Sequence, residues 1–142
     1  MSRVVAIARG WIGTPDVHQA SCRRAGADCL GLVRGVWREL LGAEPVEVPP
    51  SPPDWDEVRR EEALWAAAEA HLRPRAVAEP GDVLLLRMRD GAVAKHLGIL
   101  SASGGAPRFI HAYSGHGVVE NSLSAPWRRR IVAAFAFPEG AD

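Results

Sequence analysis

The chain changes texture once, at "EPGD" (residues 79–82), and this change restricts its architecture more than any other feature. Before it, apolar residues recur at helical spacing. After it come five short apolar runs: "VLLLR" (83–87), "AKHLGIL" (94–100), "RFIHAY" (108–113), "GVVE" (117–120) and "RIVAAFAF" (130–137). Gly, Ser, Asp or Pro separates them, at about the length of hairpin loops. Helices first and a meander afterwards specify an α+β fold, with N-terminal helices packed on a five-stranded antiparallel sheet. At 142 residues the chain suits one domain, spanning 1–142.

Three helices are expected. Ser2 can cap the first, and Val4, Val5, Ala8, Trp11 and Ile12 lie on one face before "GTP" (13–15) ends it. Residues 16–27 read as a loop. Asp28 is a good N-cap for the second helix, whose apolar face is Leu32, Val33, Val36, Trp37, Leu40 and Leu41, with Gly42 at its close. Gly31 and Gly35 each weaken that helix by roughly 1 kcal/mol against Ala. A helix keeps two such glycines when something packs close to its backbone, so this helix is expected to be central. Residues 43–53 hold five prolines and read as a loop or extended arm. Asp54 and Glu57 form a capping-box pattern ahead of Trp55, Val58, Trp65, Ala68 and Leu72, a third amphipathic helix that Pro74 stops.

Composition excludes several classes of function. Lys plus Arg equals Asp plus Glu at 17 each, so no global charge favours nucleic acid. No apolar run approaches a membrane span. The start, "MSRVVAIARGWIG", is too short and too broken for a signal-peptide core, so synthesis without a signal peptide, in the cytoplasm, is expected. Two cysteines, Cys22 and Cys29, make no disulfide framework, and their spacing is not that of a zinc site. No metal and no cofactor are expected.

Cys29 stands at the first turn of its helix, where unpaired N–H groups and the positive dipole end favour a thiolate. The carboxylate of Asp28 works against this. A small buried hydrophobe is the alternative reading of the same cysteine. In "AKHLGIL", alternation puts His96 and Gly98 on one side and Leu97 and Ile99 on the other; His111 shares a face with Phe109 and Tyr113. Neighbouring antiparallel strands can set the two histidines side by side. A thiol nucleophile needs a base within hydrogen-bond reach and a third group to orient that base, and Cys29, His96 and His111 could fill these roles. Satisfied core or surface histidines are the competing reading. His18, His71 and His116 read as solvated, as do Arg128, Arg129 and Arg130. Zinc held by Cys29, His96 and His111 lacks the short ligand spacing of a structural site.

"DCLGL" (28–32), "HLGIL" (96–100) and "FIHAYSG" (109–115), in this order, resemble the three motifs of the NlpC-type papain-like cysteine peptidases. "GTP" and "EPGD" match segments that this family carries before the nucleophile helix and before the first core strand. "HQASCRRAGADCLGLVRGVWREL", with the proline arm and the Trp-rich helix after it, resembles the small single-domain branch encoded with phage tails and gene transfer agents. The resemblance covers about residues 3–137.

The resemblance implies a papain-like fold and a peptidoglycan hydrolase that locally opens the cell wall as a phage-like or gene transfer agent particle enters a cell. Cys29 would attack a stem-peptide amide, commonly the D-γ-glutamyl-diaminopimelate bond. His96 would move the proton and His111 would orient His96. The implied partners are peptidoglycan stem peptides and tail-tip or hub proteins, with neither nucleic acid nor membrane, and the implied location is a particle tail. Asp16 and Asp28 would border the oxyanion and substrate. Family members commonly read "TPY" where this chain has Thr14-Pro15-Asp16, and an ionised carboxylate supplies no proton to an oxyanion. Asp16 therefore favours a rival, an inactive or weakly active structural tail-hub subunit. An amidase or acyltransferase acting on cytoplasmic metabolites is a further reading, since one fold hosts many reactions.

Overall fold

The computed structural model describes residues 2–45, 65–87, 94–113 and 115–138. The first helix, α1 (Arg3–Arg9), starts at Ser2, whose hydroxyl accepts the Val5 N–H. It ends earlier than its apolar spacing suggests: residues 10–13 form turns, and Gly13 has φ +95°. Trp11 still reaches the core from this turn, so its apolar spacing continues that of the helix. The stretch read as a loop contains a small hairpin, β1 (Ser21–Cys22) and β2 (Gly26–Ala27). Then come α2 (Cys29–Leu41) and α3, helical over residues 65–71. Residues 46–53 of the arm expected at 43–53, the Asp54–Glu57 capping box, Trp55 and Val58 lie outside the described residues.

The main sheet has six antiparallel strands, not five. These are β3 (Arg73–Arg75), β4 (Val83–Arg87), β5 (Ala94–Ala102), β6 (Arg108–Tyr113), β7 (Gly117–Ser122) and β8 (Ile131–Ala136), in the order β3-β8-β4-β5-β6-β7. The extra strand is the segment "RPR", where Pro74 read only as a helix stop. It pairs Arg73↔Ala136, Pro74↔Phe135 and Arg75↔Ala134 at the sheet edge. An edge tolerates proline, and three exposed residues carry no apolar alternation to announce a strand. A short helix, α4 (Ala125–Arg128), precedes β8.

Apolar packing occurs on both faces of the sheet. Val83, Leu85, Leu97, Ile99, Ile110 and Ala112 meet Val4, Ala8, Trp11, Leu32, Val33 and Val36 of the helical layer. On the other face Leu84, Leu86, Leu100, Phe109 and Leu123 pack with Trp127, Ile131 and Ala134. Strand β4 is covered on both sides, hence its uninterrupted "VLLL". The glycines of α2 mark close approach, as expected. A Cβ on Gly31 would lie 1.8 Å from the Ala20 carbonyl oxygen, and one on Gly35 would lie 2.1 Å from the Trp11 ring. Trp11 is held in place by an Nε1–H bond to Glu39 (2.6 Å).

Candidate active site

Asp28 builds the start of α2. Its backbone is extended (φ −93°, ψ −173°), and its Oδ1 accepts the Gly31 N–H at 2.7 Å. Its Oδ2 accepts the Gln19 N–H at 2.6 Å, tying the preceding turn to the helix. Both oxygens are thus used by the backbone, so Asp28 serves this site as a cap and clamp. Pro15 O accepts the Ala27 N–H (2.9 Å) and Val17 N–H reaches Ala27 O (3.4 Å). The stretch 15–17 therefore runs beside β2, two residues short of Cys29. Asp16, in the middle of it, is exposed, and its charge still reaches the thiol.

Cys29 keeps part of its surface accessible, yet dense packing around the sulfur takes it out of water. Burial, then the Asp28 carboxylate, pushes the thiol up from 9.0 to about 11, with a further small push from Asp16. Backbone N–H groups of Leu97 and Leu30 point at the sulfur and work in the opposite direction. The thiolate expected from the helix-start position is therefore not the resting form: desolvation outweighs the dipole and the amides. The Leu97 contact sets the thiol against the peptide that follows His96. This is possible because the residue pairing of β5 with β6 begins only at Ile99↔Ile110.

His96 and His111 lie on the sheet face away from the helical layer, with the alternation read from sequence. His96 Nε2 and His111 Nδ1 are 2.7 Å apart, and the rings meet edge to face at 5.0 Å. Both are buried, at 7% and 0% exposure. Burial, then the neighbouring His111, pushes His96 down to about 3; burial also lowers His111, against a hydrogen bond to Asn121 that raises it. Both imidazoles are therefore neutral at pH 7. Phe109 stacks on His111 (4.1 Å) and Trp127 stands edge-on to it (5.1 Å), while Gly98 makes room, since a Cβ there would press on Phe109 and on His111.

Two residues at this site escaped the sequence reading. Asn121 Oδ1 lies 2.7 Å from His111 Nε2. It sits one alternation beyond Val119, the residue opposite His111, so extending the "GVVE" run by one position would have found it. Trp127 comes from the short α4 and has no periodic signal. Exposed His116 stacks on Tyr113 (5.2 Å), and Arg130 lies 5.4 Å over the Trp127 ring. Among the described residues, an apolar groove of about 110 Å³ runs between α2, α3 and strands β4 and β5. Leu30 and Leu97, whose amides face the thiol, both line it, and so does His71, which is half-buried there rather than solvated as its sequence position suggests. No group of three or more His, Cys, Asp or Glu among the described residues could hold a metal ion, and no described helix is long and apolar enough to cross a membrane.

A family model described as the NlpC/P60 family matches residues 13–136. The chain belongs to the NlpC/P60 family. It is 31% identical over 135 residues to the gamma-DL-glutamyl hydrolase of Bacillus subtilis, covering 94% of this chain and 29% of the relative. To the murein DD-endopeptidase MepS/murein LD-carboxypeptidase of Escherichia coli K12 it is 30% identical over 130 residues, covering 91% of this chain and 58% of that protein. The chain thus spans under two thirds of these relatives. The solved NlpC/p60 domain of peptidoglycan hydrolase SagA superposes with a TM-score of 0.62 at 24% identity, covering 94% of this chain and 96% of that one. Ly7917, at 16% identity, also gives 0.62, covering 95% of this chain and 61% of Ly7917. These two likenesses establish the α+β NlpC/P60 fold.

Proposed function

We propose that this chain is a cysteine endopeptidase acting on peptidoglycan stem peptides. The observation that carries the reading is the pairing of His96 with His111 at 2.7 Å beside a strand whose next amide, that of Leu97, faces Cys29. Cys29 Sγ attacks the amide carbonyl while His96 takes the thiol proton. With a thiol pushed up and an imidazole pushed down, attack and proton transfer belong to one step rather than to a preformed ion pair. The oxyanion meets backbone N–H groups at the start of α2. His96 then protonates the leaving amine, and water releases the acyl group from Cys29. His111 holds the His96 ring.

The names of the relatives, a gamma-DL-glutamyl hydrolase and a murein DD-endopeptidase/LD-carboxypeptidase, support a peptidoglycan-type peptide substrate and point to different bonds. Our reading takes the D-γ-glutamyl-diaminopimelate bond. It also takes the setting to be the tail of a phage-like or gene transfer agent particle, on the strength of the motif "HQASCRRAGADCLGLVRGVWREL". Purified monomeric and cross-linked muropeptides, incubated with the protein and analysed by mass spectrometry, test both activity and bond. Cleavage after D-glutamate, lost in Cys29→Ala, is expected. Cleavage only at the cross-link or at the terminal D-alanine would move the bond.

The second reading is a structural tail-hub subunit with little activity. The raised thiol and the negative charge of Asp16 favour it. No turnover of any muropeptide, together with normal incorporation of Cys29→Ala into infective particles, would establish it over the peptidase.

A further inference from the structure

From the His96–His111–Asn121 chain we infer that Asn121 is a positioning residue that selects the ring tautomers, and so decides which nitrogen of His96 can act as base. The inference deepens the peptidase reading and rests on it for its consequence, though not for its test. Three groups are joined by two contacts: His96 Nε2 to His111 Nδ1 at 2.7 Å, and His111 Nε2 to Asn121 Oδ1 at 2.7 Å. Two neutral imidazoles sharing one contact must supply one proton and one lone pair to it. Two arrangements satisfy this. In the first, His111 Nε2–H donates to Asn121 Oδ1, His111 Nδ1 is bare, and His96 donates to it through Nε2–H. His96 Nδ1 is then a lone pair, free to take a proton. In the second, every bond reverses: Asn121 donates through Nδ2, His111 donates through Nδ1–H, and His96 carries its proton on Nδ1. A His96 protonated there has no lone pair left to act as base.

The two arrangements differ at their far end by which atom Asn121 presents. The structure presents the carbonyl oxygen, which selects the first. In this arrangement His96 Nδ1 is the ring nitrogen that carries the lone pair for the reacting proton. The backbone supports the arrangement. Asn121 pairs with Phe109 in the β6–β7 ladder and Val119 with His111, so Asn121 is the diagonal neighbour of His111 on the same face. Phe109 stacked on His111 keeps the ring in the plane where its Nε2 meets that amide. Asn121 itself is exposed, so the chain starts at the surface and ends at the buried base.

The test reads protonation directly, by long-range ¹H–¹⁵N spectra of the histidine rings in uniformly ¹⁵N-labelled protein at pH 7. In the wild type, both His96 and His111 should carry the proton on Nε2 and a bare Nδ1. Asn121→Leu leaves His111 Nε2 to water, which accepts and donates alike. The tautomer ratio should then fall by about fivefold, the worth of one hydrogen bond. Asn121→Asp can only accept, so it should keep the wild-type tautomers. On a muropeptide substrate, Asn121→Leu should lower kcat a few-fold at unchanged KM, and Asn121→Asp should recover most of it. A wild-type His111 protonated on Nδ1, or unchanged tautomers in Asn121→Leu, would overturn the inference. If the spectra shift as described while no muropeptide is cut, tautomer control by Asn121 stands and the peptidase reading falls.

Discussion

The buried thiol gives a sharp test of how the site works at rest. Cys29 is pushed from 9.0 to about 11, chiefly by burial. At pH 7 this leaves a thiolate fraction of about 1 in 10⁴, against about 1 in 10² for a thiol at the ordinary value. A more basic thiolate is intrinsically more nucleophilic. With a Brønsted slope of about 0.4–0.5, two pH units restore roughly tenfold. The net expectation is alkylation about tenfold slower than for an ordinary thiol, before any steric hindrance. Cys22 is exposed and offers an internal reference. Brief iodoacetamide treatment between pH 6 and pH 10, followed by peptide mass spectrometry, gives both rates. Cys22 should be labelled first, and Cys29 labelling should still be rising at pH 10. If Cys29 reacts faster than Cys22 and reaches a plateau below pH 8, the dyad is a preformed thiolate–imidazolium pair. Desolvation would then not dominate at this site.

The same burial makes stability depend on pH. His96 titrates at about 3 in the folded state and near 6.5 unfolded, so between these values the unfolded chain binds the extra proton and stability falls as pH falls. From pH 7 to pH 5, His96 should cost about 2 kcal/mol, read as a lower urea midpoint, and His96→Gln should remove most of this drop. Gly31→Ala would put a methyl group into the Ala20 carbonyl, and overpacking of this kind costs about 1–3 kcal/mol or more. Its Tm should fall by at least several degrees, and an unchanged Tm would show that the Asp28 turn can move aside. Asp16→Asn removes an exposed charge that raises the thiol. Because solvent screens it, kcat/KM should rise by less than about tenfold, and a fall would give Asp16 a positive role in binding.

The sequence by itself determined the class of fold, where its first three helices lie, five of the six strands of the main sheet, and the alternation that puts His96 and His111 on one face. These features are carried by local periodicity, capping residues and turn chemistry, all of which can be read within a few neighbouring residues. Gly31 and Gly35 mark close packing in the sequence itself, and their neighbours are the Ala20 carbonyl and the Trp11 ring. Tertiary structure decided what depends on distant segments. The edge strand at Arg73–Arg75 exists because β8 offers it a pairing partner, and nothing in "RPR" states that. Asn121 meets His111 only through the β6–β7 register, and Trp127 reaches the same cluster from a helical turn of four residues. The charge state of the thiol was decided there as well. A helix start and a nearby histidine favour a thiolate on paper, but desolvation is set by how many groups from α2, β5 and the preceding loop close around one sulfur atom. That is a property of the packed molecule and not of any short stretch of its chain.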